Sequence, residues 1–154
     1  VLKTMIAIWI VKFLFHDAYG SNVILLELYA GFGAVLGHNF PFYLKFKGGK
    51  GVACTGGMVL GVYPVVAPVS LGLFVLISAV TKYVSLGSIL GLISVFVQVV
   101  LYGQMGILSI PAAIRPEFYI LTACFTLLGI WQHRSNIKRL MNGTENKLGA
   151  GKAK

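Results

Sequence analysis

The sequence predicts an all-α fold, a polytopic transmembrane helical bundle, on three observations. Hydrophobic residues make up 57% of the 154 positions and charged residues only 11%, where a soluble domain carries roughly 25% charged residues. The mean hydropathy of +0.85 reflects apolar runs along the whole chain, which excludes a soluble enzyme behind a single signal peptide. The 13 Lys and Arg fall in short segments between those runs. That is the pattern of membrane-protein loops, not of one basic face laid along nucleic acid.

Apolar runs at 5–15, 23–36, 52–63, 64–80, 86–102 and 118–131 predict six helical segments. The first two are separated by a polar stretch in which His16 and Asp17 are expected to be solvated loop residues. The third, at about twelve residues, rises only about 18 Å against roughly 30 Å of hydrocarbon, so it is expected to be short, tilted or cupped by its neighbours. The fourth begins at Pro64. Gly31, Gly33, Gly56, Gly57, Gly61 and Gly72 punctuate these segments, and small residues of this kind let membrane helices approach closely. The fifth segment follows the polar stretch 82–88, and the sixth leads into 133–145.

Six crossings, with the start of the chain inside, leave only Lys12 and Arg115 outside. The other eleven cations, among them Lys45, Lys50, Lys82, Arg134 and Lys138, fall on one side. By the positive-inside rule that side is cytoplasmic. The same parity brings the polar segments 38–51, 82–88 and 133–145 to one face. Cys54 and Cys124 stand alone in apolar runs and are expected to be packing residues, with neither metal-site nor disulfide spacing. Glu27 is the one acid inside an apolar run; a structural pairing and a site role both remain open.

The segment Gly37-His38-Asn39-Phe40-Pro41 through Phe46-Lys47-Gly48-Gly49-Lys50-Gly51 precedes a helix. Glycines let successive backbone N–H groups turn to one point, the following helix presents its positive end, and lysine adds mobile charge. These are parts of an oxyanion or phosphate cradle; a simple positive-inside loop is the alternative. It is not a Walker A loop, because Leu44 stands where the first glycine belongs and Gly51 where Ser or Thr should follow Lys50. Ser85 and Ser88, three apart at a helix start, can face one side, with Ser85 also fitting an N-cap. On a helix, His133 and Asn136 share a face as two expected donors, although a histidine at a membrane boundary also fits an interfacial anchor.

Together, Gly-His-Asn-Phe-Pro, Phe-Lys-Gly-Gly-Lys-Gly-Val-Ala, Lys-Tyr-Val-Ser-Leu and His-Arg-Ser-Asn-Ile-Lys-Arg-Leu resemble the bacterial acyl-phosphate:glycerol-3-phosphate acyltransferase family (PlsY-type). The resemblance runs from near Val1 to about Leu148. It implies a seven-helix integral enzyme of the bacterial plasma (inner) membrane, with its active-site motifs and C-terminus facing the cytoplasm. The enzyme moves a fatty acyl group from acyl phosphate to glycerol 3-phosphate, giving lysophosphatidic acid. The resemblance further implies that His133 and Asn136 are catalytic, and that His38, Lys47, Gly48, Gly49, Lys50, Gly51, Ser85, Ser88 and Arg139 bind substrate.

No metal, cofactor, nucleic acid or obligate protein partner is expected; the partners are the two substrates and the bilayer. The family has an earlier motif ahead of the segment that begins here. Residues 1–148 are therefore expected to form a single acyltransferase domain lacking its N-terminal helix and first motif, followed by a flexible basic tail, 149–154. A non-enzymatic multi-pass protein, such as a transporter or assembly subunit with a phosphate-binding loop, is the competing expectation. An enzyme using a nucleotide-activated donor is disfavoured by the scarcity of acids, since diphosphate chemistry usually needs a divalent ion held by carboxylates and the chain has four Asp and Glu in all.

Overall fold

The computed structural model describes residues 1–46 and 48–149. Among the described residues seven α-helices run in the order α1 (Leu2–Tyr19), α2 (Val23–Asn39), α3 (Val52–Val62), α4 (Ala67–Thr81), α5 (Val84–Gln104), α6 (Arg115–Gln132) and α7 (Arg134–Met141). The six apolar runs correspond to α1 to α6. The seventh helix is the short amphipathic α7 that carries the His-Asn segment. Two stretches, Leu2–Leu44, folded as the α1–α2 hairpin, and Val84–Gln104, are long and apolar enough to cross a membrane by length and composition, while Val52–Val62 and Ala67–Thr81 are apolar but shorter.

Prolines set several of the boundaries. Asn39 ends α2 two residues before Pro41, and α3 stops before Pro64, because the ring of a proline disfavours helical geometry in the residue ahead of it. Pro64 therefore does not open the fourth helix as the sequence reading expected: α4 starts at Ala67, with Pro68 in its first turn, where its missing N–H costs nothing. His16 and Asp17 are a second difference, lying on the last turn of α1 and not in a loop.

Helices α1, α2 and α3 pack on one another, α4, α5 and α6 form a second group in chain order, and α2 against α6 joins the two. The core at their junction holds Ile8, Leu28, Met58, Val66, Val99, Phe118 and Phe125. Tyr63, wholly buried between α3 and α4, donates to or accepts from Thr122 at 2.9 Å and meets the Phe118 ring edge-on at 5.8 Å. Among the small residues, Gly31, Gly57 and Gly61 make the close approaches expected of them: Met58 lies against Gly31, Val1 against Gly57 and Ile8 against Gly61. Gly33, Gly56 and Gly72 do not, since a Cβ at each would meet nothing within 4 Å. The short α3, about 16 Å long, lies against both α1 and α2, so its N-terminal end stops inside the bundle's polar end.

Candidate active site

Three breaks between helices meet at that end: the loop before α3, the α4–α5 turn and the α6–α7 junction. The loop is built on the end of α2. After Pro41, the one-turn 3₁₀ helix Phe42–Leu44 leads into Lys45 and Phe46, both left-handed at φ 52° and 60°, which reverses the chain. Gly48 then donates its N–H to Asn39 O at 3.2 Å and sits so close to His38 O that no side chain fits there. Gly51, left-handed at φ 77°, caps α3, and a Cβ on it would strike Asn39 Oδ1. The N–H groups of the first turn of α3 have no acceptor within the helix and point out of its N-terminus beside Lys50.

Gly51→Ala is therefore expected to destabilise this loop by about 1–2 kcal/mol from the left-handed conformation alone, with the Asn39 collision added. A thermal scan of the purified protein checks it; a melting temperature equal to wild type would show that the loop tolerates a side chain.

The remaining polar groups come from the other two breaks. Val84 opens α5 without a side-chain cap. Ser85 is thus not the N-cap: Tyr83 holds that position, and the Ser85 hydroxyl is released to reach across 60 residues to Glu145, donating to Oε1 at 3.0 Å. The same carboxylate accepts from Asn136 Nδ2 at 2.7 Å and Arg139 Nε at 2.8 Å. Its side chain is 6% exposed. Burial pushes the Glu145 carboxyl up, but the hydrogen bonds from Asn136, Arg139 and Ser85 outweigh it and hold the group below the usual carboxylate range. The chain after α7 is tied down as well, with Leu148 N donating to Lys82 O at 2.7 Å and Lys147 lying over the Tyr83 ring.

His133 ends α6 and starts α7. Its side chain is buried, and Nδ1 lies 2.8 Å from Gly129 O. A carbonyl oxygen only accepts, so Nδ1 carries the proton and the neutral ring keeps its lone pair on Nε2. Burial, reinforced by nearby Lys50 and opposed by Gly129 and Glu145, lowers the pKa below the ordinary histidine value. Asn136 is fixed by the same logic. Glu145 accepts from its NH2, and Oδ1 is left buried with no hydrogen-bond partner. Where two donors were expected, the pair presents two acceptors, Nε2 and Oδ1.

Lys50, Ser85, Ser88, His133, Asn136, Arg139 and Glu145 line one cavity of about 370 Å3. Lys50, Ser88 and His133 also line a second, of about 200 Å3, walled by α3, α4, α5 and Gly129 of α6. A vestibule with polar residues thus lies beside an apolar slot. The sequence-predicted residues divide accordingly. His38 lies beneath the loop and not in the vestibule lining; a Cβ on Gly49 would stand 2.8 Å from its Nε2, and Lys3 Nζ lies 3.2 Å from Nδ1. Gly48 and Gly51 shape the loop against α2. Ser88 donates to Val84 O at 2.9 Å, and Arg139 commits Nε to Glu145. Lys47 and 150–154 of the predicted tail lie outside the described residues.

Sequence reasoning missed the organising role of Glu145 and the whole apolar slot. The available signal for the first was an acid, one of four in a chain of net charge +9, placed just after Asn136 and Arg139.

The family profile described as Glycerol-3-phosphate acyltransferase matches residues 1–143. Relatives named Glycerol-3-phosphate acyltransferase include that of Thermoanaerobacter sp. (strain X514), 39% identical over 150 residues that cover 97% of this chain and 67% of the relative. That of Halalkalibacterium halodurans is 40% identical over 153 residues, covering 99% and 69%. Crystal structures of PlsY (YgiH), an integral membrane glycerol 3-phosphate acyltransferase, in glycerol 3-phosphate and lysophosphatidic acid forms, match at TM-score 0.72 and 33% identity; they cover 88% of this chain and 62% and 64% of the solved chains. The chain spans about two thirds of the length of the relatives it matches. With the helical architecture and the match both in place, this polytopic membrane chain belongs to the glycerol-3-phosphate acyltransferase family.

Proposed function

We propose that the protein transfers a fatty acyl group from acyl phosphate to the sn-1 hydroxyl of glycerol 3-phosphate, releasing phosphate and forming lysophosphatidic acid. The observation that carries this reading is the adjacent pair of cavities: a vestibule with polar residues for phosphate and hydroxyl groups, sharing Lys50, Val52, Ser88 and His133 with an apolar slot for a hydrocarbon tail. An acyl phosphate has these two ends. A transporter or assembly subunit has no need of an apolar slot beside a phosphate loop.

The chemistry needs little from the protein beyond placement. Acyl phosphate is a mixed anhydride, so its carbonyl is already activated and phosphate is the leaving group. The acceptor hydroxyl oxygen bonds to the carbonyl carbon, the bond from that carbon to the phosphate oxygen breaks, and the hydroxyl proton passes to a base. His133 Nε2, neutral and unprotonated, is such a base, and Asn136 Oδ1 accepts from a second hydroxyl of the acceptor. Lys50 and the N–H groups opening α3 face the anionic end. The sequence contains no Gly-x-Ser-x-Gly elbow, which fits direct transfer without an acyl-enzyme. Residues 1–148 act as one domain in this reading. The cation asymmetry supports a cytoplasmic site in a bacterial plasma membrane.

The test is formation of lysophosphatidic acid and phosphate from the two substrates by the intact membrane protein; no product with any acyl phosphate overturns the reading. Lys50→Ala should raise the KM for an anionic substrate about ten-fold or more, through loss of a charge-assisted hydrogen bond worth roughly 1.5–3 kcal/mol, with little effect on unfolding. Unchanged kinetics in the folded variant would remove Lys50 from the phosphate cradle.

A further inference from the structure

The lining of the apolar slot runs from Lys50, Ser88 and His133, which it shares with the vestibule, to Val59 on α3, Ser70 on α4 and Val95 on α5. From Val52 to Val59, two turns of α3, it descends about 10 Å. Ser70 is the polar residue among these three. Ser70 is 3% exposed, and its Oγ accepts from Gln98 Nε2 at 2.8 Å; Gln98 also donates to Ser94 Oγ at 2.7 Å. Gln98 Oε1 is buried with no partner.

Two glycines lie in the wall of the slot. Gly56 lines it, and a Cβ there would meet nothing within 4 Å, so a side chain at this position has no packing neighbour in the way. Gly91 lines it from α5; a Cβ there would stand 3.5 Å from Ser70 O and 3.6 Å from Phe74 Cβ. These are ordinary contacts, so the methyl of an alanine fits without strain on the protein. Neither glycine is demanded by packing against a neighbouring helix, unlike Gly31 or Gly61.

We propose that Gly56 and Gly91 are the determinants of acyl-chain selectivity, keeping the slot open from the vestibule to Ser70. This rests on the acyl-transfer reading above. Gly56 lies one turn, about 6 Å, below Val52. A butanoyl tail therefore ends above the level of Gly56, whereas a dodecanoyl tail passes it. Each methylene excluded from an apolar site costs about four-fold in binding.

The experiment compares kcat/KM for dodecanoyl phosphate with that for butanoyl phosphate in the intact membrane protein. Gly56→Val should lower the dodecanoyl-to-butanoyl ratio ten-fold or more, and Gly91→Ala should lower it in the same direction by a few-fold. Gly91→Ala keeps the test open should the larger substitution fail to fold. A ratio that stays at the wild-type value in folded variants overturns the gauge while leaving acyl transfer intact. Failure of the unaltered protein to turn over either acyl phosphate overturns the reading beneath it.

Discussion

His133→Ala should lower kcat by about 10²–10⁴-fold, the range for losing a positioned general base, and Asn136→Ala should lower activity as well. The double variant should fall short of the product of the two losses. In the proposed reading both residues meet the same acceptor through Nε2 and Oδ1, and Asn136 shares Glu145 with Ser85 and Arg139, so their contributions should be coupled. A pH profile adds a second readout. Because burial lowers the His133 pKa, the ring is neutral at pH 7, and activity should fall only on an acid limb lying below the ordinary histidine value of about 6.5. His133→Ala should lose that limb. Mass spectrometry of the protein exposed to acyl phosphate without acceptor should show no acyl adduct. A stoichiometric adduct on His133, Ser85 or Cys54, or two fully multiplicative losses, would sink the direct-transfer scheme.

The elements legible in the sequence were those written in local chemistry. Apolar run length located α1 to α6, and proline placement explains why α4 opens at Ala67 and not at Pro64. Charge parity brought three separated segments to one face, where the structure gathers Lys50, Ser85, Ser88, His133, Asn136 and Arg139 around one cavity. The limits of the reading are equally physical. Ser85 and Glu145 are 60 residues apart, and nothing local to Ser85 announces that its hydroxyl leaves its own helix. Whether Asn136 offers a donor or an acceptor depends on which atom Glu145 takes, and that is decided by tertiary contact. The apolar slot is a gap among four helices. Gly56, which borders that gap, reads in sequence like Gly57, which fills a helix crossing.

Glu145→Ala should be among the most destabilising substitutions in the polar end of the bundle, because one carboxylate satisfies three donors from two separate helices. Its removal leaves Ser85 Oγ and Asn136 Nδ2 buried without acceptors, while Arg139, at 38% exposed, can turn to water. At about 1–3 kcal/mol for each of the two orphaned buried groups, the loss is about 2–6 kcal/mol, at the α5–α7 contact. The charge makes the effect depend on pH. The folded-state pKa of Glu145 lies below the ordinary carboxylate value of about 4.3, so its stabilisation is complete above that value and is lost as pH falls through the depressed folded one. Wild type should therefore lose stability on acidification through this window, and Glu145→Gln, which cannot ionise, should lose less over the same interval. Thermal unfolding in detergent at pH 7 and across the acid range separates the two contributions. Glu145→Ala melting like wild type at pH 7, or Glu145→Gln tracking wild type through the acid range, would show that the carboxylate does not hold α7 against α5.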